Sequence, residues 1–223
     1  MAHYHLDLDL SLTLRHLSSP MGGRMLQDGS DLTNEIGLEN FTFKELAERM
    51  GSTKVTVYNF FANKQRLLQY YFQLYWLWLG IPGEQNGKAA TDTLDRLHST
   101  IRALAGLWPG EVLAAQLVPS AMRKLVINEG SGSFMHKNVD SEKELKLFKP
   151  YKDLCAQVAT ELKACSPRIK SPRSFATTLV EMAHSLESAM LHLPALTGPS
   201  GKKDRKQLAA FLTDTTDRYL GVK

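Results

Sequence analysis

Apolar residues recur at intervals of three and four positions through most of this 223-residue chain, which is the spacing of one face of an α-helix. Segments with this spacing are residues 24–36, 43–50, 94–108, 151–165, 173–193 and 204–220. Leucines alternate with polar residues only between positions 5 and 14, and no second run exists with which such a strand could pair. We therefore predict an all-α fold, preceded by an extended or disordered arm at residues 1–20.

A helix-turn-helix is predicted near the amino end. Thr42 and Glu45 can form a capping box, in which each side chain hydrogen-bonds a backbone amide that the start of a helix leaves unpaired. Gly51 follows the last apolar position of that helix, where a residue that tolerates a positive φ is favoured. Ser52 or Thr53 can cap the next helix.

The second helix of the motif is predicted at Lys54–Phe60. Val55 and Val57 are expected to face the protein or the turn, whereas the polar side chains stay largely free. These are Lys54, Thr56, Tyr58 and Asn59. Their cationic, hydroxyl and amide groups are of the kind that contact base edges and phosphates in DNA. A third helix, capped by Asn63, carries Lys64 in its first turn, where a cation suits an approaching polyanion.

Positive charge is concentrated in the same part of the chain. Residues 49–66 contain four cationic side chains and no acidic one, whereas residues 28–48 contain six acidic side chains. The formal net charge is +4 and the isoelectric point is near 9.0. This balance is compatible with nucleic-acid binding without proving it.

The sequence G-S-T-K-V-T-V-Y-N-F-F-A-N-K-Q-R-L-L resembles the TetR family of transcriptional regulators, over residues 24–70. In that family a glycine, a capping hydroxyl, Lys, Thr, Tyr, an aromatic residue and Lys recur at these intervals. The resemblance implies that Lys54 and Thr56 face the major groove, that Asn59 contacts bases or backbone, and that Phe61 is buried. It assigns phosphate contacts to Thr42, Thr53, Tyr58 and Lys64.

Two features depart from the family pattern. Gly29 falls within the first helix, where the family usually has Ala, and a mid-helix glycine costs about 1 kcal/mol of helix stability. The leader carries Asp7 and Asp9 where the family often has a basic arm. These departures leave an alternative open, a helical partner-binding protein whose helix-turn-helix does not function on DNA.

The third helix is apolar on nearly every face as far as residue 79, so we expect it to enter a larger domain. The predicted division is an arm at 1–20, a three-helix DNA-binding domain at 21–68, and a helical ligand-binding and dimerisation domain at 69–223. By resemblance to the family, residues 173–193 and 204–220 form a homodimer that binds a palindromic double-stranded DNA operator. The family role that the resemblance implies is most often that of a repressor.

Aromatic and polarizable side chains of the larger domain are candidate walls of a cavity for a small apolar or aromatic effector. The candidates are Tyr75, Trp76, His98, Trp108, Met122 and Phe134. Each could instead only fill the core. His98 shares a helix face with Leu94 and Ile101, which favours a hydrogen-bonded core histidine.

No catalytic, cofactor or metal site is predicted. Glu181 and His184 have the Glu-x-x-His spacing of carboxylate-bridged metal bundles, but the sequence holds no second copy, which such a site requires. Cys155 and Cys165 lie ten positions apart on one predicted helix, about 15 Å, which is too far for a disulfide. Because the sequence shows neither a spanning apolar run nor a secretion signal, we expect a cytoplasmic protein.

Overall fold

A computed structural model describes residues 19–89, 92–107, 119–129, 148–197 and 204–222. These residues contain helices and no strand, so the all-α prediction is confirmed. The α-helices are α1 (Pro20–Asn40), α2 (Phe43–Arg49), α3 (Lys54–Phe60), α4 (Lys64–Ala89), α5 (Thr93–Leu104), α6 (Pro119–Glu129), α7 (Lys149–Cys165), α8 (Pro172–His192) and α9 (Arg205–Leu220), with a 3₁₀ turn at Pro194–Leu196. Within the described ranges, no helix combines the length and the apolar character that crossing a bilayer requires.

The described residues form two compact units. The first unit contains residues 19–71 and 119–125, and the second contains the remaining described residues. Helix α4 is continuous across the boundary that follows Tyr71. The functional division predicted after residue 68 stays a prediction.

Helix α1 begins earlier than the apolar pattern indicates. The Ser19 hydroxyl accepts a hydrogen bond from the Gly22 amide at 3.1 Å, and Pro20 occupies the first helical position. Proline is well suited to that position because its missing N–H would have no partner there. Gly37, where the sequence predicts the helix end, has a φ of +79° and interrupts the helical backbone before it resumes as far as Asn40.

The glycine at position 29 is explained by Tyr71. The Tyr71 hydroxyl donates a hydrogen bond to the Leu26 carbonyl oxygen at 2.8 Å, within the core of the first unit. A Cβ atom on residue 29 would collide with that hydroxyl oxygen. Helix α1 therefore has glycine here because a neighbouring tyrosine occupies the space of a side chain.

In the second unit, α7 packs against α5 and α8, while α9 packs against α5 and α8. Leu97, Ile101, Val158, Leu179 and Leu212 are fully buried in these contacts. Both cysteines are free thiols, Cys155 buried and Cys165 partly buried, in agreement with their spacing.

Candidate DNA interface and effector cavity

Two capping threonines fix α2 and α3, and we call residues 42–60 the reader. The Thr42 hydroxyl accepts the Glu45 amide at 3.3 Å and donates to the Glu45 carboxylate, which is the predicted capping box. Thr53 accepts the Thr56 amide at 3.2 Å and caps α3 as predicted. Between the two helices, the turn contains Gly51 with a φ of +59°.

Helix α3 exposes the polar face that its sequence predicts. Lys54, Tyr58 and Asn59 are exposed and Thr56 is half-buried. The prediction for Val57 is confirmed, since it is completely buried, but the prediction for Val55 is wrong, since it is 68% exposed. Side chains two positions apart point in directions about 200° apart around a helix, so the two valines cannot both face the same core. An apolar side chain therefore stands among the polar groups of the reader.

Tyr58 is held by the core beneath it. Its ring packs edge-on against the buried ring of Phe43, with centroids 5.1 Å apart and an interplanar angle of 68°. The residue nevertheless remains 55% exposed. Because the ring is already positioned, binding through this side chain would restrict little additional side-chain freedom.

The cations of the reader differ in what they contact. Arg49 donates to both carboxylate oxygens of Glu35 at 2.6 and 2.9 Å, and this hydrogen bonding lowers the pKa of Glu35. Lys54 makes no hydrogen bond or ion pair with any residue that the structure describes. Lys54 is therefore the cation available to an external anion, whereas Arg49 is neutralised within the unit.

The start of α4 adds a second cationic position. The Asn63 side chain accepts the Arg66 amide at 2.9 Å, which confirms the predicted cap. Lys64 donates to the Leu38 carbonyl oxygen at 3.1 Å while its side chain stays exposed. This bond joins the start of α4 to the end of α1 and keeps the ammonium group at the surface.

The second unit contains a cavity of about 310 Å³, near the lower end of the volumes of small-molecule sites. Its apolar walls are Phe72, Trp76, Val126, Ile127, Ala189 and Leu193. Its polar walls are Asn128, Glu181, His184, Ser185, Ser188 and His192. Helices α4, α6 and α8 supply these residues, except Leu193, which directly follows α8, so the cavity is assembled from distant parts of the sequence.

Histidine 184 is fixed in the cavity wall by two hydrogen bonds. Its Nδ1 lies 2.7 Å from the Val180 carbonyl oxygen, which only accepts, so Nδ1 carries a proton. Nε2 lies 2.8 Å from the Tyr75 hydroxyl, from which it accepts in the neutral ring. The indole of Trp76 has the rings of Tyr151 and His184 beside it, with centroids at 4.8 and 5.0 Å.

Glu181 accepts a hydrogen bond from the Tyr151 hydroxyl at 2.7 Å. Burial raises the pKa of Tyr151, which keeps that hydroxyl protonated as a donor. The sequence pointed to Glu181 and His184 only through their metal-bundle spacing. Their proximity to Trp76 is a long-range feature that no motif indicates. In the part of the chain that the structure describes, no group of three or more His, Cys, Asp or Glu side chains could hold a metal ion.

The family model for bacterial regulatory proteins of the tetR family matches residues 26–71. This segment includes most of α1, the whole reader and the first turns of α4. Residues 26–71 therefore resemble the amino-terminal segment of TetR-family regulators. The family that the sequence motif resembles is thereby confirmed. A search of curated protein sequences gave no significant match.

Solved structures extend the likeness over most of the chain. The fatty acid degradation regulator FadR from Bacillus halodurans has 15% identity and a TM-score of 0.64, over 91% of this chain and 96% of that one. AibR in complex with isovaleryl coenzyme A and operator DNA has 15% identity and a TM-score of 0.58, over 86% and 95%. A putative TetR-family transcriptional regulator from Rhodococcus sp. has 14% identity and a TM-score of 0.60, over 89% and 97%. The described residues of this chain therefore have the fold of these regulators.

The candidate effector residues of this chain lie in different places. Tyr75 and Trp76 are in ring contact at 5.2 Å, with Trp76 in the cavity wall and Tyr75 bonded to His184. His98 lies outside the cavity wall, with Nε2 2.7 Å from the Asp217 carboxylate. Met122 is buried in the first unit. Two further candidates, Trp108 and Phe134, lie outside the described residues.

Helices α8 and α9, which correspond to the predicted dimer segments, leave aromatic surface uncovered. Phe211 and Tyr219 lie eight positions apart on α9 and are 53% and 50% exposed. The ring of Phe175 stacks on that of Tyr219, with centroids 4.0 Å apart and an interplanar angle of 9°. The two residues of α9 lie on one stripe of the helix because they are separated by multiples of four.

Proposed function

We propose that this chain is a TetR-type repressor that binds a near-palindromic operator as a homodimer and is released by a small apolar or aromatic ligand. The observation that carries the proposal is Lys54, an exposed cation at the start of a capped helix that has no hydrogen-bond or ion-pair partner among the described residues. A helix of this kind in the major groove places its first residues at the base edges.

The proposed contacts divide into base and backbone contacts. Lys54 and Thr56 contact base edges, and Asn59 contacts either bases or backbone. The phosphate contacts are made by Thr42, Thr53, Tyr58 and Lys64. The exposed positions of Lys54, Tyr58, Asn59 and Lys64 support this division, as does the hydroxyl character of the caps. Phosphate contacts position the protein and base contacts supply sequence specificity.

A homodimer follows from the small size of one reader, which contacts too little DNA for useful specificity. We assign the interface to residues 173–193 and 204–220. The exposed aromatic stripe of α9 supports this assignment, because burying such a surface against a second copy stabilises association. The two readers would then enter successive major grooves about 34 Å apart.

Release by a ligand involves α4. This helix begins with Lys64 and also contributes Phe72 and Trp76 to the cavity. A ligand that displaces α4 would change the separation of the two readers, and a displacement of a few ångströms would prevent simultaneous contact with both half-sites. The complex of AibR with isovaleryl coenzyme A and operator DNA is a case in which a protein of this fold has both partners.

The structure weakens one motive for the alternative, a partner-binding protein with a non-functional reader. Gly29 departs from the family pattern, but the Tyr71 hydroxyl occupies the space of a side chain there. Glycine at position 29 is therefore explained by the space that Tyr71 takes within the first unit, and it does not indicate a lost function.

Fluorescence anisotropy with an operator selected from random duplex DNA tests the proposal. Binding should weaken steeply with salt, because each neutralised phosphate contributes about 0.9 to the logarithmic salt slope. Lys64→Ala should reduce that slope by about one phosphate contact. Lys54→Glu should abolish binding and leave the dimer mass unchanged.

The control for Lys54→Glu is Lys152→Glu, which makes the same charge reversal at an exposed position of α7. This control should bind the operator within about twofold of the unaltered protein, because Lys152 is not among the proposed DNA contacts and salt screens the interactions of solvated charges. Operator binding that survives Lys54→Glu would contradict the proposal.

A further inference from the structure

The charged groups of the cavity in the second unit distinguish it from a site for an anion. Glu181 lines the cavity and accepts one hydrogen bond, from the Tyr151 hydroxyl. An ionised carboxylate has about four acceptor positions, so most of its capacity remains for a ligand. Among the described residues that line the cavity there is no lysine and no arginine.

The histidines of the cavity wall are already occupied by intramolecular partners. Both ring nitrogens of His184 are at hydrogen-bond distance from protein atoms, the Val180 carbonyl and the Tyr75 hydroxyl. Nε2 of His192 lies 3.1 Å from the side-chain oxygen of Asn128, which accepts. These contacts use the ring N–H groups with which histidine would bind a carboxylate or phosphate.

Aromatic and aliphatic surface faces the same cavity as Glu181. Phe72 and Trp76 are buried side chains of α4, and the indole is held by the flanking rings of Tyr151 and His184. A cation within about 6 Å of an aromatic ring face is attracted by the ring quadrupole, most strongly for tryptophan. Apolar groups also bind favourably here through removal of their surface from water.

We propose that the effector is a small apolar cation, an amine or quaternary ammonium compound, whose charge binds Glu181 and whose apolar part contacts Phe72 and Trp76. This inference rests on the proposed function in taking the cavity as the effector site. It gives the ligand a charge opposite to that of the coenzyme A thioester named for AibR, which bears phosphate groups. The cavity described here provides no cationic side chain for such phosphates.

Three benzyl compounds separate charge from apolar contact. Benzyltrimethylammonium carries the positive charge, neopentylbenzene is its uncharged carbon isostere, and phenylacetate is an aromatic anion. Binding is measured without DNA, as the ligand-dependent rise in melting temperature, which reports affinity for the folded state. We expect the ammonium compound to bind at least about tenfold more tightly than either other probe.

Glu181→Gln removes the charge and keeps an oxygen that can accept the Tyr151 hydrogen bond. This variant should lose the tenfold preference while its affinity for neopentylbenzene is unchanged. Asp153→Asn is the matched control, because Asp153 is an exposed acid on α7 that does not line the cavity. It should retain the full preference for the ammonium compound.

Equal binding of all three probes, tighter binding of phenylacetate, or no binding of the ammonium compound at millimolar concentration would overturn the inference. Preference that persists in Glu181→Gln would also overturn it. These outcomes are independent of operator binding, which tests the reader and the dimer. A protein that binds the ammonium compound but no operator would contradict the proposed repressor and leave the cavity assignment intact.

Discussion

The two compact units differ in the distance along the sequence over which their defining contacts are made. In the first unit, the caps that position the reader join residues three positions apart, as in Thr42 with Glu45. In the second unit, the hydrogen bond between Tyr75 and His184 joins residues 109 positions apart. The pair His98 and Asp217 is separated by 119 positions.

This difference explains why one region has a recognisable motif and the other does not. Local caps and glycine turns depend on residue type at fixed spacing, so a family pattern can recur while the rest of the chain changes. The family model accordingly matches residues 26–71, and none of the residues that line the cavity lies in that segment. A cavity whose walls come from distant parts of the sequence depends on which helix faces pack together, and many different sequences allow the same packing.

The largest effect is expected on the proposed dimer surface of the second unit, which would contact a second copy of the chain. Replacing both Phe211 and Tyr219 by Glu places charges against an apolar partner surface in both halves of a two-fold interface. The dimer dissociation constant should rise by about a thousandfold, since exposed aromatic anchors contribute strongly to interfaces. Analytical ultracentrifugation measures the change.

The control is Leu196→Glu, at an apolar position of the 3₁₀ turn that is more exposed than Phe211 and Tyr219 and lies outside both proposed interface segments. It should remain dimeric. The monomeric double variant should keep the amide spectrum of the reader, because the reader is stabilised by local bonds. If the double variant still sediments as a dimer, this surface is not the interface.

Much of the first unit could be predicted from sequence because its signals are local. The bounds of α3, the caps Thr42 and Thr53, and the positive φ of Gly51 all follow from residue type and spacing. Val55 was not predictable in the same way, because a seven-residue helix contains too few apolar positions to define which side is buried.

The cavity could be predicted only in part. Trp76 is in its wall as expected, but the hydrogen-bonded position of His98 depends on α9, which is far away in sequence. Glu181 was visible only as half of a metal-binding spacing. Its place beside Trp76 and Tyr151 requires the packing of α4, α7 and α8, for which the sequence holds no local signal.

Gly29→Ala tests whether long-range packing also matters inside the locally defined unit. Alanine normally stabilises a helix relative to glycine, but here its Cβ collides with the buried Tyr71 hydroxyl. We expect the free energy of unfolding to fall by about 2 kcal/mol through overpacking. Chemical denaturation measures it.

Gly23→Ala is the matched control, since residue 23 lies on the same helix and a Cβ there meets no atom within 4 Å. It should stabilise the protein by about 0.5 to 1 kcal/mol. Should Gly29→Ala stabilise the protein equally, the packing explanation for this glycine would be lost.

The smallest expected effect on stability is that of replacing Glu161, an acidic residue of the second unit. Burial raises the pKa of Glu161, whereas hydrogen bonding to Arg49 lowers that of Glu35 in the first unit. The unfolded chain ionises Glu161 at its ordinary pKa, which is below the pKa in the folded protein. Below the ordinary pKa, the shift does not change the free energy of unfolding. That free energy falls as the pH rises toward the folded pKa, and it stays reduced at neutral pH. Glu161→Gln, which cannot ionise, should therefore raise the free energy of unfolding at neutral pH. Thermal unfolding should show no gain in acid below the ordinary carboxyl pKa, and an equal gain at both pH values would exclude ionisation as the cause.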